Sequence, residues 1–199
     1  MNKIFKKFLV FLSIFFLAQN LLANEKIDLE KQFTKKLDEV VLVVKDRQLT
    51  AENRNANIIN LLTPMFDFKL MAKLSLGKST WNKLTLKEQD NFIKLYVVRM
   101  KKSYSSKVDS YKNQEIEIKE VSQKKNRIRI STDIIGKDDS FEIIYKFYKP
   151  KKRKENKDIW LIYDVEIIGI SILKADKAQF KEFLKTKSIS QLINKLAKK

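Results

Sequence analysis

Cysteine and histidine are both missing from this 199-residue chain. Without cysteine no disulfide framework can hold the fold, so stability must come from an ordinary apolar core. Without histidine the usual general base of Ser-His-Asp and Cys-His sites is gone, together with the commonest transition-metal ligand. Only all-oxygen Ca²⁺ or Mg²⁺ sites stay open, and no EF-hand-like D-x-D-x-D-G loop occurs. Arginine is scarce, with 6 residues among 42 basic ones. Arg is favoured for bidentate phosphate and base contacts, so a formal net charge of +18 argues only weakly for nucleic acid. The lysines are dispersed among acids except at residues 149–157 (K-P-K-K-R-K-E-N-K). They suit anionic lipid surfaces or acidic partners at least as well. Past residue 23 no apolar run reaches the roughly 20 residues that a membrane-spanning helix needs.

The first 23 residues read as a secretory signal peptide. Lys3, Lys6 and Lys7 form a positive start, and residues 8–17 are apolar apart from Ser13. Leu21-Leu22-Ala23 then precedes polar sequence at Asn24. Ala23 suits the position before a cut, although Leu21 is bulkier than the small residue usual two places earlier. An uncleaved anchor is the alternative. Residues 24–199 have the length of one exported domain; loss of three lysines would leave it at +15.

Along that domain the periodicity changes once in each direction. Phe33, Leu37, Val40, Val41 and Val44 recur at spacings of three and four, one face of an amphipathic helix over 25–45. A second helix is expected over 51–62, stopped by Thr63-Pro64. A third follows Asp67 as N-cap and ends at Gly77. Thr85-Leu-Lys-Glu88 is a capping box that opens a long helix. Its stripe of Ile93, Val97, Met100, Tyr104, Val108 and Tyr111 is broadened by Phe92, Leu95 and Tyr96. From 114 the pattern has period two: Ile116 and Ile118, then Ile128, Ile130, Thr132 and Ile134, then Phe141, Ile143, Tyr145 and Phe147. Short polar turns between such runs make an antiparallel meander. The last strand portion, 159–173 (I-W-L-I-Y-D-V-E-I-I-G-I-S-I-L), is apolar on both faces and hinged near Gly169. Two helical pieces, 176–184 and 190–196, close the chain. Helices over 25–111, a sheet over 114–173 and helices over 174–197 give an α+β domain.

Several of these residues fall into a known pattern. Phe66-Asp67-Phe68, Met71-Ala72, Leu76-Gly77 and Trp81 resemble the F-D-F-x-x-M-A…L-G…W signature of the MlaC (toluene-tolerance) family. Leu84-Thr85 with Gln89 and Phe92 resembles that family's L-T…Q…F helix opening. Trp160…Tyr163-Asp164-Val165-Glu166-Ile167…Gly169-Ile170-Ser171 resembles its W-x-x-Y-D-V-x-I-x-G-I-S block. Phe180 and Leu192-Ile193…Leu196 also fit. Lys177 departs from the pattern, where the family commonly has Arg before its Q-F pair. The resemblance covers essentially all of 24–199. It implies a curved antiparallel sheet of NTF2-like shape, wrapped by helices around an apolar lipid cavity. It also implies a periplasmic phospholipid shuttle that maintains outer-membrane lipid asymmetry. The partners implied are an MlaA-like outer-membrane lipoprotein complex and the MlaD-like MCE-domain subunit of an inner-membrane ABC transporter.

On that reading the expected pocket wall is Met71, Leu74, Val97, Met100 and Tyr104 from the helices. From the sheet it is Ile130, Tyr145, Tyr163, Ile168 and Ile170. Any one of these, taken singly, also fits ordinary core. Asp67, Gly77 and Asp164 are assigned to cap, turn and strand-end partner, and Trp81 and Trp160 to packing. The headgroup is expected to stay in water near lysines, with little headgroup specificity. No cofactor is expected beyond the bound lipid, no nucleic acid is expected, and a monomer suits a shuttle. Two alternatives remain: another amphiphile such as a hopanoid-type lipid, or an NTF2-like enzyme built on the Tyr163–Asp164 pair.

Overall fold

The computed structural model describes residues 3–108, 114–137 and 139–198, without the side chains of 3–23 and 103–108. The leader expected over 1–23, and the Tyr104, Val108 and Tyr111 end of the helical stripe, lie outside the described side chains. Among the described residues no helix is long and apolar enough to cross a membrane.

Helix α1 (Lys3–Lys45) runs into α2 (Ala51–Leu62). Thr50 caps α2 by accepting from Asn53 N at 3.2 Å. Pro64 does end that helix, but the chain tightens into a 3-10 turn, Thr63–Met65, instead of leaving helical geometry at once. Asp67 then caps α3 (Phe68–Leu76) by accepting from Leu70 N at 3.1 Å. Gly77 ends α3 at φ 75°, a backbone region glycine enters without the clash a Cβ would cause. A short α4 (Lys78–Trp81) follows, which sequence patterning does not signal. The capping box opens α5 (Leu86–Val108) with both reciprocal bonds: Thr85 N donates to Glu88 Oε2 at 2.9 Å and Glu88 N to Thr85 Oγ1 at 3.2 Å.

Five antiparallel strands follow in the order of the chain and form one curved, open sheet: β1 (Glu115–Lys124), β2 (Arg127–Ile135), β3 (Ser140–Tyr148), β4 (Leu161–Ile167) and β5 (Ile170–Ser171). The closing helices are α6 (Ile172–Thr186) and α7 (Ile189–Ala197). The apolar stretch 159–173 therefore hinges at Gly169 as expected, but its last two residues already belong to α6. Ser171 makes that switch by accepting from Lys174 N at 3.0 Å as N-cap.

The core has two centres. On the helical side Phe92, Tyr96 and Phe180 meet with ring centroids 5.7–6.4 Å apart. Buried Asp176 accepts from Tyr96 Oη at 2.9 Å and from Arg99 Nη2 at 2.6 Å, tying α6 to α5. On the sheet side Phe33 of α1 packs edge-on against Tyr145 at 4.8 Å and Phe147 at 5.6 Å. The two centres are joined through the 3-10 turn. Asp67 N donates to Ile162 O at 3.0 Å, and Phe66 forms a bridge with Ile162.

The β4–β5 turn is strained. Ile168 stands at φ 50° and Gly169 at φ 74°, the two left-handed positions of a tight hairpin turn. A β-branched residue is an outlier there, and Ile168 is also 68% exposed. Ile168→Asn should therefore raise stability by about 1 kcal/mol, since Asn tolerates the left-handed region and no burial is lost. Thermal melting of parent and variant checks it.

Candidate functional site

Strand register sorts the sheet into two unlike faces. Ile118, Thr132, Ile143 and Ile167 stand side by side across β1 to β4, as do Val121, Ile130, Tyr145 and Val165 in the next row. Ile116, Ile134 and Phe141 share this inner face, because side chains alternate with period two. The outer face is polar. Lys146 Nζ sits 2.9 Å from Asp164 Oδ2 and 2.6 Å from Glu166 Oε2, and Ser131 donates to Glu142 at 2.6 Å.

The inner face is covered unevenly. Ile128, Ile130, Phe147, Ile162 and Val165 are at most 1% exposed, whereas Ile116, Ile118, Val121, Phe141, Ile143, Tyr145 and Ile167 are only half-buried. Helix α1 repeats the asymmetry. Leu29 and Phe33 are buried, while Leu37, Val40, Val41 and Val44 further along the same stripe are half-buried. A sheet face and a helix face, each apolar and each short of cover, are the candidate walls of an apolar cleft. Such surface costs roughly 25 cal/mol per Å² left in water. An apolar guest relieves that cost.

The structure separates the ten residues expected to line the pocket. Val97 and Tyr145 are half-buried and packed on the core cluster. Met71, Met100 and Ile130 are at most 2% exposed and serve as core beneath that wall. Tyr104 lies outside the described side chains. Leu74, Tyr163 and Ile168 are placed elsewhere, and Ile170 stands at the exposed edge of the inner row. Leu74 is 38% exposed on α3. A bulge leaves Tyr163 without a partner between Lys146↔Asp164 and Phe147↔Ile162. It turns to the outer face, against Tyr148 at 5.9 Å and under Arg127 at 5.5 Å. Ile168 stands at the hairpin tip, 68% exposed, because β4 ends at Ile167 and its alternation ends with it, whereas Ile170 opens β5 opposite Ile167 on the inner face and is 65% exposed. Strand parity pointed instead to Ile116, Ile118, Val121, Phe141 and Ile143, which share a face with Ile130 and Tyr145.

Burial pushes the Tyr145 phenol up to about 12. The fold thus favours the neutral form, whose contribution is complete below the ordinary value near 10 and is lost as pH rises through about 12. Alkaline unfolding should begin above pH 10 and be less steep in Tyr145→Phe, read by circular dichroism across that window. Asp164 lies with Lys146 on the outer face, so the Tyr163–Asp164 pair does not face the cleft. Among the described residues no cluster of acids is placed to hold a metal ion.

A second polar centre stands at the other end of the sheet. Buried Asp67 accepts, besides its cap bond, from Tyr148 Oη and Lys154 Nζ. Burial and this carboxylate together push the Tyr148 phenol up. Lys149 pairs with Glu25 and so fastens α1 to the end of β3.

Comparison with known proteins agrees with this arrangement. A family model described as MlaC protein matches residues 34–198. The chain belongs to the MlaC family. No curated protein matches it. Among solved structures this MlaC-family chain is similar to the phospholipid-binding protein from Ralstonia solanacearum, solved in complex with a phospholipid. The TM-score is 0.69 at 17% identity, over 83% of this chain and 93% of that one. At that identity the likeness is one of fold. The MlaC match spans α1 beyond Phe33, the whole sheet and both closing helices, so every element around the cleft lies within it.

Proposed function

We propose that this protein binds phospholipid acyl chains in the cleft between α1 and the inner sheet face, and carries the lipid between membranes of a Gram-negative envelope. The observation that carries the reading is the pair of facing, half-covered apolar surfaces: Leu37, Val40, Val41 and Val44 on α1, and Ile116, Ile118, Val121, Phe141, Ile143 and Ile167 on the sheet. Family membership and the fold shared with a phospholipid-bound protein support it. Each methylene exposed to water costs about 0.8 kcal/mol, so a sixteen-carbon chain costs roughly 13 kcal/mol. No diacyl lipid crosses water quickly at twice that cost. A carrier that covers both tails removes the barrier without any covalent chemistry.

Membership of the family supports the finer parts of the reading. Export by the N-terminal leader, work in the periplasm as a monomer, and exchange with an MlaA-like complex and an MlaD-like transporter subunit make one coherent cycle. A binding protein needs no catalytic group, and none is assigned. Lipid-free protein mixed with phospholipid vesicles should withdraw about one lipid per chain, measured as phosphate co-eluting with protein after the vesicles are removed. Protein that emerges without phosphate would reject the proposal.

A further inference from the structure

Charge is sorted along the strands. The β1–β2 turn and the β3–β4 loop leave the sheet at one end, since Lys124, Arg127, Tyr148 and Leu161 stand in one row across β1 to β4. Lys149 N donates to Asn126 O at 3.2 Å, so the two connections touch. Residues 124–127 (K-K-N-R) hold three cations and no acid, and residues 149–158 (K-P-K-K-R-K-E-N-K-D) hold six cations and two acids. The opposite end is acidic. Glu117, Asp133 and Glu142 stand side by side across β1, β2 and β3, with Glu115 and Asp139 beyond them. Lys119 partly offsets them, 3.5 Å from Asp133 and 3.7 Å from Glu142.

The cations at the basic end divide into two sets. Lys149 on Glu25, Lys154 on Asp67 and Lys157 on Thr63 O pin the loop to α1 and to the chain before α3. Asp158 N adds a bond to Pro64 O at 3.3 Å. Lys124, Lys125, Arg127, Lys151, Lys152 and Arg153 are exposed. Among the described residues none of these six forms an ion pair. The loop is thus held firmly while most of the charge at this end faces water.

The residue types say what such a surface meets. Neither connection contains an aromatic or large apolar side chain, the anchors that carry protein–protein interfaces. The stacking platforms of single-strand nucleic-acid binders are missing for the same reason. Lysine outnumbers arginine there by seven to two, and lysine is a compact, hydrated point charge on a flexible stem. A set of this kind fits a fluid field of negative charge better than a fixed pattern of acceptors.

We infer that the β1–β2 turn and the β3–β4 loop form a docking surface for an anionic lipid bilayer. The acidic end is repelled by the same membrane, so the protein is oriented as well as attracted. Ile116, Phe141 and Ile143 belong to that acidic end, so this part of the half-covered inner face stays clear of the bilayer. The inference concerns an outer surface, not the cargo, and does not depend on the carrier reading.

Co-sedimentation of the protein purified from cell envelopes with vesicles tests it. Vesicles of equimolar phosphatidylglycerol and phosphatidylcholine should bind about tenfold more protein than phosphatidylcholine alone at low ionic strength, and added salt should release it. Each Lys or Arg near an anionic leaflet contributes roughly a fivefold gain in affinity. Lys151→Gln with Lys152→Gln and Arg153→Gln should therefore weaken binding by about tenfold or more, with the melting temperature unchanged. Lys124→Gln with Lys125→Gln, on the other connection, should act in the same direction. Lys181→Gln with Lys187→Gln and Lys198→Gln removes the same net charge from around the closing helices and should weaken binding by roughly threefold at most. Equal binding to the two kinds of vesicle, a loop variant that binds like the parent, or an equal loss in the two triple variants overturns the inference. Retention on polyglutamate or duplex DNA by a protein that ignores anionic vesicles would give the patch to an acidic protein or a nucleic acid, and overturns it too.

Discussion

Asp164→Ala should lower the unfolding free energy by about 3–5 kcal/mol, the range seen when one partner of a buried ion pair is removed. The carboxylate is 3% exposed. One oxygen accepts from Leu173 N at 3.1 Å, and the other from Ser171 Oγ at 2.8 Å and Lys146 Nζ at 2.9 Å. It therefore joins β3, β4, the hairpin tip and the first turn of α6 through a single side chain. Truncation leaves the Leu173 N–H and the Ser171 hydroxyl short of an acceptor and returns Lys146 to Glu166 alone. Asp164→Asn keeps an acceptor for Leu173 N, so its loss should be roughly half as large. Urea unfolding at neutral pH measures both, and a loss under 1 kcal/mol for Asp164→Ala would show that the network contributes little. The same cluster gives an acid limit. A hydrogen bond from Lys146 holds the Glu166 carboxyl below its ordinary value of 4.5. Its contribution is complete above that value and is lost as pH falls through the lowered one.

Ile143→Trp should reduce bound phospholipid about tenfold. Ile143 lies in the inner-face row with Ile118, Thr132 and Ile167. It is half-buried, so an indole has room to enter the cleft without being forced into packed core. Overfilling a packed site costs about 1–3 kcal/mol, but overfilling an open one mainly removes space from the guest. The loss should therefore appear in lipid per protein more than in melting temperature. Val97→Trp on α5 should act in the same direction. Ile168→Trp should not, because Ile168 stands in the turn with 68% of its surface exposed.

How far the sequence could be read depended on whether a feature is local. Asp67, Gly77 and Thr85–Glu88 were legible because caps and turns depend on residues three or four apart: Asp67 and Thr85–Glu88 form their capping bonds, and Gly77 takes a positive φ. The α+β order and the antiparallel meander were legible because period changes from 3.6 to 2 are visible in single runs. Pocket residues were harder. Tyr163 was misplaced by a bulge, which reverses side-chain parity and leaves no mark in the alternation of one strand. Ile168 falls in the turn although β-branched residues continue past the end of β4, since hydrophobicity alone does not mark where pairing stops. Met71, Met100 and Ile130 were recognised as interior, but depth within an interior depends on which helices land on it. The uneven cover of Leu37, Val40, Val41 and Val44 is likewise a tertiary fact. Strand parity could have supplied Ile118, Val121 and Ile143, since they share their face with Ile130 and Tyr145 by counting alone.

The central claim is that the half-covered faces of α1 and the sheet are completed by lipid tails. Native mass spectrometry of the protein purified from cell envelopes without added detergent tests it most directly. The account predicts a main species heavier than the chain by the mass of one phospholipid, confirmed in the organic extract and lost in Ile143→Trp. A parent protein found only at the mass of the bare chain, folded and with no extractable lipid, would contradict it.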